Sequence, residues 1–228
     1  MRSEFRRFLF LSSAVLTLAF SASADTLFDN TKTDLGYRFN PGTQEVGDQI
    51  ILSSSGFLTG FTFEFYGTNT LSPGNGAFAG IVEARVKIYL MDGPLFNGNN
   101  TPGTPLYTGD WTAIGPTPRA TLDFTAGTDF PAQGLLIPTT SITWSVQFRG
   151  LGATDEAGVD LYSPPTVGQD FPDYWRFDNQ LSGWILETNA VPADFAAKFI
   201  GTIPEPSIFS LAILGGVVMM ISGRKRKP

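Results

Sequence analysis

Short runs of alternating apolar and polar residues, separated by turn-forming residues, are the feature that most limits how this chain can fold. Between Asp25 and Ile203 the runs are bounded by Gly, Pro, Asn and Asp, and none keeps a helical period over three turns. Because successive side chains of a β-strand point to opposite faces, a period of two indicates strands with one apolar face. The pattern therefore predicts antiparallel β-structure.

Three runs show this alternation clearly, and they predict strands over 57–66, 82–91 and 141–149. Their apolar faces carry Phe61, Phe63 and Phe65; Ala84, Val86, Ile88 and Leu90; and Ile142, Trp144, Val146 and Phe148. Polar residues occupy the opposite faces, among them Glu83, Arg85, Lys87 and Tyr89 of the second run and Thr143, Ser145, Gln147 and Arg149 of the third. We expect these opposite faces to meet solvent.

Weaker runs bring the predicted total to nine or ten strands: Gln49–Ser53, Leu106–Thr108, Ala120–Thr125, Gly158–Tyr162, Trp184–Glu187 and Phe195–Ile200. Strands with one apolar face must bury those faces against each other, and two packed sheets are the usual solution. We predict one all-β domain over 25–203, an antiparallel β-sandwich of the jelly-roll-like or immunoglobulin-like kind. The strand count alone does not separate a sandwich from a closed barrel.

The first 24 residues have the pattern of a secretion signal peptide. Arg2, Arg6 and Arg7 precede an almost unbroken apolar run from Phe8 to Phe20, and Ala22-Ser23-Ala24 supplies small residues for cleavage. The apolar run is short for a membrane-spanning helix. We therefore expect residues 1–24 to be removed on export.

Charge and composition exclude several classes of function. Residues 25–203 contain 8 basic and 19 acidic side chains, a net charge of −11, which argues against nucleic acid as a partner. The chain has no Cys and no His. Nucleophilic sites that pair Ser or Cys with His are therefore excluded, as are zinc sites built on these residues.

Aromatic and polar residues alternate near the end of the body, a composition that suits a carbohydrate-binding site. The candidate residues are Tyr174, Trp175, Arg176, Asp178 and Trp184. Aromatic rings stack on the C–H faces of sugars, while carboxylates and amides bond the hydroxyls. The alternative is that Trp175 and Trp184 are core residues, since large aromatic side chains are highly buried on average. In a strand, Tyr174 and Arg176 would lie opposite Trp175, so we expect these two to be exposed.

Acidic side chains suggest calcium binding and glycoside hydrolysis as two further chemistries, but the spacing of these residues matches no known motif for either. The turn Asp92-Gly93 with Asn97–Asn100, and the group Asp155, Glu156 and Asp160, offer oxygen ligands for a structural calcium ion, although ordinary turns use the same residues. Glu64, Glu83, Asp110 and Asp123 are candidates for a glycosidase carboxylate pair, with solvated charges as the alternative. We expect no cofactor and no catalytic residues.

The last 25 residues form a three-part segment at the extreme C-terminus. Pro204, Glu205 and Pro206 are followed by an apolar run over 208–221 and by a basic cluster, Arg224, Lys225, Arg226 and Lys227. Together with the N-terminal signal, this segment (204–228) resembles the sorting signal of PEP-CTERM proteins. The apolar segment is slightly short for a bilayer, and Gly215 and Gly216 weaken it as a helix. The basic cluster predicts a cytoplasmic end.

The resemblance implies a route and a setting for the protein. An exosortase-like processing enzyme would recognise Pro204–Pro206 and cut near it, after transient anchoring in the inner membrane through a C-terminal hydrophobic helix. Such systems occur in Gram-negative bacteria that make exopolysaccharide, and their substrates are cell-surface or extracellular-matrix proteins. The sequence thus leads us to expect an exported, non-enzymatic protein with a structural, adhesive or polysaccharide-binding role. A secreted glycan-active enzyme is the alternative.

Overall fold

The computed structural model describes residues 24–71 and 77–203, and these residues form two antiparallel β-sheets packed face to face. The strands are β1 (Asp25–Asn30), β2 (Asp34–Phe39), β3 (Val46–Ile51), β4 (Gly56–Asn69), β5 (Val82–Leu90), β6 (Leu95–Phe96), β7 (Asn99–Asn100), β8 (Pro105–Thr108), β9 (Thr112–Ile114), β10 (Thr117–Thr125), β11 (Leu135–Ile137), β12 (Ser141–Arg149), β13 (Asp155–Tyr162), β14 (Gln169–Asp170), β15 (Tyr174–Asp178), β16 (Gly183–Glu187) and β17 (Ala197–Thr202). The predicted β-sandwich is confirmed.

The first sheet is organised around β4. This fourteen-residue strand pairs with β17 and β13 along one edge and with β11 and β10 along the other, while β1 lies beyond β17 and β2 beyond β13. The second sheet has the order β16-β15-β3-β12-β5-β8, with β14 beside β3 and β9 beside β5. A separate hairpin is formed by β6 and β7. The signal-peptide and sorting-signal predictions concern residues outside the described ranges.

The core lies where β4 faces β12. Trp144 is fully buried, with ring centroids 5.3 Å from Phe61, 5.5 Å from Phe63 and 5.8 Å from Phe195. The three clear runs of the sequence became β4, β5 and β12, and their predicted apolar faces are buried as expected, with Leu90 only partly so. Periodicity placed these side chains correctly because each strand has one face on a single shared core.

A group of buried carboxyl groups interrupts this apolar interior near one end. Asp48 points from β3 into the space between the sheets and is fully buried, close to Asp194 and Asp170. One Asp48 oxygen accepts the Phe195 N–H at 2.9 Å, and the other has no hydrogen-bond partner among the described residues. Asn30 donates to Asp170 at 3.3 Å. Removal from water disfavours the charged form of each acid, and each anion disfavours its neighbours.

The titration of these acids follows from that environment. Burial, then the charge of Asp194, raises the pKa of Asp48 well above its ordinary value. The same two causes raise the pKa of Asp170 to about 7, and burial raises that of Asp194 to about 6. The folded protein therefore holds protons here that the unfolded chain has already lost at the same pH.

We predict that the free energy of unfolding falls as pH rises from about 5 to about 8. A raised folded-state pKa in an acid stabilises the fold only where protons are still bound, so the stabilisation is lost as pH approaches 7. Urea titrations across this range measure the slope. Asp48→Asn, which keeps the shape and removes one charge, should flatten it, whereas Asp123→Asn on an exposed surface should not. An unchanged slope in Asp48→Asn would contradict the assignment.

Candidate functional site

Part of the outer face of the second sheet is covered, contrary to the expectation that it meets solvent. Thr143 and Ser145 of β12 are fully buried, and Tyr89 of β5 is nearly so. Above them lies a second apolar cluster, separate from the main core, which we call the outer cluster: Tyr89, Trp175 and Trp184, with Met91, Phe96, Phe177 and Leu186 packed against them. The prediction of a solvated face is wrong here because chain from elsewhere in the sequence packs over it.

Two hairpins build the outer cluster. The β15–β16 hairpin joins the sheet where Trp175 lies opposite Gly47 of β3. Gly47 is required at this crowded point, since a side-chain carbon there would lie 2.6 Å from the Thr143 methyl group. Trp184, on β16, makes edge-to-face contacts with Phe177 at 5.3 Å and with Tyr89 at 5.5 Å between ring centroids. The β6–β7 hairpin contributes Phe96.

A polar group lies beside these aromatic rings and is centred on Glu45. Its carboxylate forms an ion pair with the Lys87 ammonium at 2.7 Å and accepts hydrogen bonds from the Tyr89 hydroxyl at 2.9 Å and from Ser145 at 2.7 Å. Burial, then the neighbouring Glu45 charge, raises the pKa of Tyr89, so its hydroxyl keeps its proton. The Lys87 ammonium has three N–H donors, and Glu45 accepts one of them, so the other two remain for further hydrogen bonds.

Between the two hairpins lies a cleft of ≈ 540 Å³, which we call the main cleft. Glu45, Lys87 and Tyr89 line it together with Phe96, Phe177 and Trp184. Leu95 and Leu181, which are 70% and 71% exposed, lie on its two hairpins. The volume is within the range of small-molecule sites, and aromatic walls with a few hydrogen-bonding groups are typical of such sites.

A smaller and more polar cleft, of ≈ 410 Å³, involves the β6–β7 hairpin as well. Its lining includes Gln49, Met91, Asp92, Asn99 and Asn100. Gln49 also accepts a hydrogen bond from the Trp175 indole at 3.2 Å. The outer cluster is thus held to the sheet by both apolar packing and polar contacts.

The sequence-predicted aromatic residues divide between the two cores. The expectation that Tyr174 is exposed is wrong: it is 8% exposed and faces the main core, where its ring centroid lies 4.7 Å from that of Phe39. Trp175 belongs to the outer cluster and is fully buried, so it presents no ring face to a ligand. Trp184 is also mostly buried but lines the main cleft.

Arg176 and Asp178 stabilise the β15–β16 hairpin and do not line the main cleft. Arg176 donates twice to Glu187, at 2.8 and 2.6 Å, and this bonding lowers the pKa of Glu187. Asp178 accepts the N–H groups of Gln180 at 2.8 Å and Leu181 at 3.0 Å, which together with Arg176 lower its own pKa. Both residues therefore hold the hairpin that forms one wall of the cleft.

Sequence reasoning missed Glu45, Phe96, and the roles of Lys87 and Tyr89. Lys87 and Tyr89 lie on the face of β5 that was expected to be solvated, and Glu45 and Phe96 lie in segments without a clear period. One available signal was Tyr89, a large aromatic side chain on an otherwise charged face. Such a residue usually finds a partner when it is buried.

Three of the carboxylates considered for calcium, those of Asp92, Asp155 and Asp160, have protein partners. Asp92 accepts both the N–H and the hydroxyl of Thr104, at 2.6 and 2.7 Å. Asp155 accepts the Ala79 N–H at 3.0 Å, and Asp160 pairs with Arg38 at 3.0 Å. Within the part of the chain that the structure describes, no group of three or more acidic side chains is arranged to hold a metal ion.

The carboxylates considered for glycoside hydrolysis are dispersed. Glu64 lies on the first sheet, where it accepts the Tyr162 hydroxyl at 2.8 Å, and Glu83 lies on the second, where it pairs with Arg149 at 2.5 Å. Asp110 and Asp123 are exposed, the latter on β10. None of the four lines the main cleft.

Comparison of the chain with protein-family models, curated proteins and solved structures found no match. A search of residues 24–71 and 77–203 also found no helix with the length and apolar character needed to cross a membrane. The sorting motif Pro204–Pro206 and the basic cluster Arg224–Lys227 lie outside the described residues.

We predict that Glu45→Gln lowers the free energy of unfolding by about 2 kcal/mol, because it leaves a half-buried Lys87 without its anion. The double variant Glu45→Gln with Lys87→Met should recover part of that loss. Glu83→Gln is the matched control: its partner Arg149 has a side chain 49% exposed, so the change should cost under about 1 kcal/mol. Equal losses in both single variants, measured in urea, would contradict the assignment.

Proposed function

We propose that this chain is an exported, non-enzymatic polysaccharide-binding protein that uses the main cleft. The observation that carries the proposal is the combination of aromatic walls with the Glu45–Lys87 pair in one cavity of ≈ 540 Å³. Aromatic surfaces suit the C–H faces of sugars, and an ion pair both donates to and accepts from hydroxyl groups. Of the five residues considered first, Trp184 is the one that lines the cleft. Trp175 packs in the outer cluster and Tyr174 in the main core, while Arg176 and Asp178 hold the β15–β16 hairpin.

The distribution of carboxylates favours binding over hydrolysis. Hydrolysis by the common glycosidase mechanisms needs two carboxyl groups placed across one bond. Among the described residues that line the main cleft, Glu45 is the carboxylate, and it is held by Lys87, Tyr89 and Ser145. A cleft with this lining suits retention of a glycan better than its cleavage.

The arrangement of the sandwich supports the jelly-roll-like form of the fold. Successive long strands alternate between the sheets, from β3 in the second to β4 in the first, then β5, β10, β12 and β13 in turn. Repeated crossing between two sheets is typical of jelly rolls, whereas immunoglobulin-like domains keep more neighbouring strands in one sheet.

Export and sorting form the second part of the proposal. A signal peptide over 1–24 and a PEP-CTERM-like segment over 204–228 would deliver the body to the envelope or extracellular space of a Gram-negative bacterium. There an exosortase-like enzyme would act at Pro204–Pro206. The absence of Cys fits a body held by burial alone, and the acidic balance of 25–203 keeps it from binding nucleic acid.

We predict that immobilised extracellular polysaccharide of the source bacterium retains the purified protein. Phe96→Ala, which removes one wall of the cleft, should weaken retention about tenfold, equivalent to about 1.4 kcal/mol. Tyr37→Ala is the control, because Tyr37 is an aromatic residue 57% exposed on the first sheet. Unchanged melting temperatures would show that both variants fold.

The same incubation distinguishes the alternatives. Retention without new reducing ends supports binding, whereas the appearance of reducing ends indicates a glycan-active enzyme. If the protein is neither retained nor active, the polysaccharide-binding proposal fails and a purely structural role takes its place.

A separate prediction concerns the sorting motif. Replacing Pro204, Glu205 and Pro206 together by Ala should leave an unprocessed form held in the membrane fraction of the source bacterium. Mass spectrometry of the isolated protein reads the C-terminus directly. A variant with the wild-type mature C-terminus would show that the motif does not direct processing.

A further inference from the structure

The outer face of β5 continues beyond the main cleft. Glu83, Arg85, Lys87 and Tyr89 lie on this face, while the intervening side chains are buried in the main core. Lys87 and Tyr89 line the cleft, and the other two extend away from it. Six residues of strand separate Tyr89 from Glu83, so this row of side chains is about 20 Å long.

Neighbouring residues turn the row into a polar strip. Gln147 and Arg149 of β12 stand directly opposite Arg85 and Glu83 in the ladder. Arg85 donates to the Gln147 side chain at 2.9 Å, and Arg149 pairs with Glu83 at 2.5 Å. We call these side chains, together with Lys87 and Trp111, the β5 strip.

An aromatic residue marks the far end of the strip. Two guanidinium groups pack against the half-buried Trp111 ring. The Cζ atoms of Arg85 and Arg149 lie 4.4 and 4.2 Å from the ring centroid. Such contacts orient the long arginine side chains and reduce the entropy they lose on binding a ligand. The strip therefore begins at an aromatic cleft and ends at an arginine-flanked indole.

The strip carries three cations, Arg85, Lys87 and Arg149, and one anion, Glu83; two neighbouring carboxylates, Glu45 and Asp110, bring the local charge to balance. Lys87 is paired with Glu45, and Arg149 with Glu83, while the exposed Asp110 precedes Trp111 in sequence. Among the described residues Arg85 forms no ion pair; one terminal N–H donates to Gln147, and its Nε is buried without a partner there. A balanced strip on a body of net charge −11 disfavours polyanions, while its donors and acceptors suit hydroxyl groups.

We infer that the main cleft is one end of an extended groove, and that its ligand is a linear, uncharged polysaccharide lying along β5 with several consecutive sugar units. The inference rests on the proposed function and names the ligand class of the same site. It assigns Arg85 and Trp111 as contacts to the distal units, while Phe96 and Trp184 contact the unit in the cleft.

The test uses oligosaccharides prepared by partial acid hydrolysis of the polysaccharide that retains the protein, separated by length and by charge. Calorimetric titration of the wild type should give an affinity that rises by about tenfold from disaccharide to hexasaccharide. Trp111→Ala and Arg85→Gln should lose that rise and keep the disaccharide affinity. Phe96→Ala should weaken both ligands alike.

The outcomes separate the two proposals. If Trp111→Ala and Arg85→Gln both keep the full rise with length, the groove is wrong and the cleft is unaffected. Tighter binding of uronic-acid oligosaccharides than of neutral ones of equal length would overturn the uncharged ligand. If no oligosaccharide binds and the polymer does not retain the protein, the proposed function fails as well. Arg85→Gln, which replaces a half-buried side chain by a shorter polar one, keeps the test valid if Trp111→Ala fails to fold.

Discussion

The contact of Trp144 with Phe61 and Phe63 connects the centres of the two sheets, and the rest of the structure depends on it. β4 pairs with four other strands and β12 lies between β3 and β5, so this contact fixes the position of many neighbours. Within residues 24–71 and 77–203 the Trp144 indole N–H has no hydrogen-bond partner, at a cost of about 1–3 kcal/mol. Burial of a large aromatic side chain is worth about as much, and ring–ring contacts add to it.

The same contact determines what the second sheet offers on its other face. Because side chains alternate along a strand, an inward Trp144 makes Thr143 and Ser145 point outward. Along β5, the inward Val86 and Ile88 likewise place Lys87 and Tyr89 outward. The main cleft and the β5 strip therefore lie on a face whose register is set by the core between the sheets.

The fold could be predicted from the sequence where a strand has one face buried in the core and the other polar. Phe61, Phe63 and Phe65 alternate with polar residues, and this alternation predicted β4. β1 and β2 were missed: Leu27 and Phe28 are adjacent in sequence and both buried at a bulge, and β2 is largely exposed, so neither strand alternates cleanly. A period of two fails wherever a bulge shifts it or no core imposes it.

For the candidate site, the sequence predicted which kinds of side chain are present near Trp184 but not which of them are exposed. Trp175 and Trp184 of the predicted aromatic group lie together in the outer cluster, whereas Tyr174 packs in the main core. Their direction depended on which side of β15 faced the main core, which no local pattern shows. A strand between two cores buries Tyr174 on one side and Trp175 on the other, and alternation cannot then indicate exposure. Glu45 and Phe96 come from distant segments of the chain.

The outer cluster explains why the main cleft lies here rather than between the sheets. The space between the sheets is filled by aromatic side chains, and the acids near its end are buried with few partners. The β15–β16 hairpin, by contrast, joins β3 through only two residue pairs, and the β6–β7 hairpin is separate from both sheets. Two weakly connected hairpins packed over a rigid sheet leave a gap between them, and the polar residues of β5 lie beneath that gap. Lys87 of β5 and its partner Glu45 supply the polar groups at the base of the cleft, and the two hairpins supply its aromatic walls.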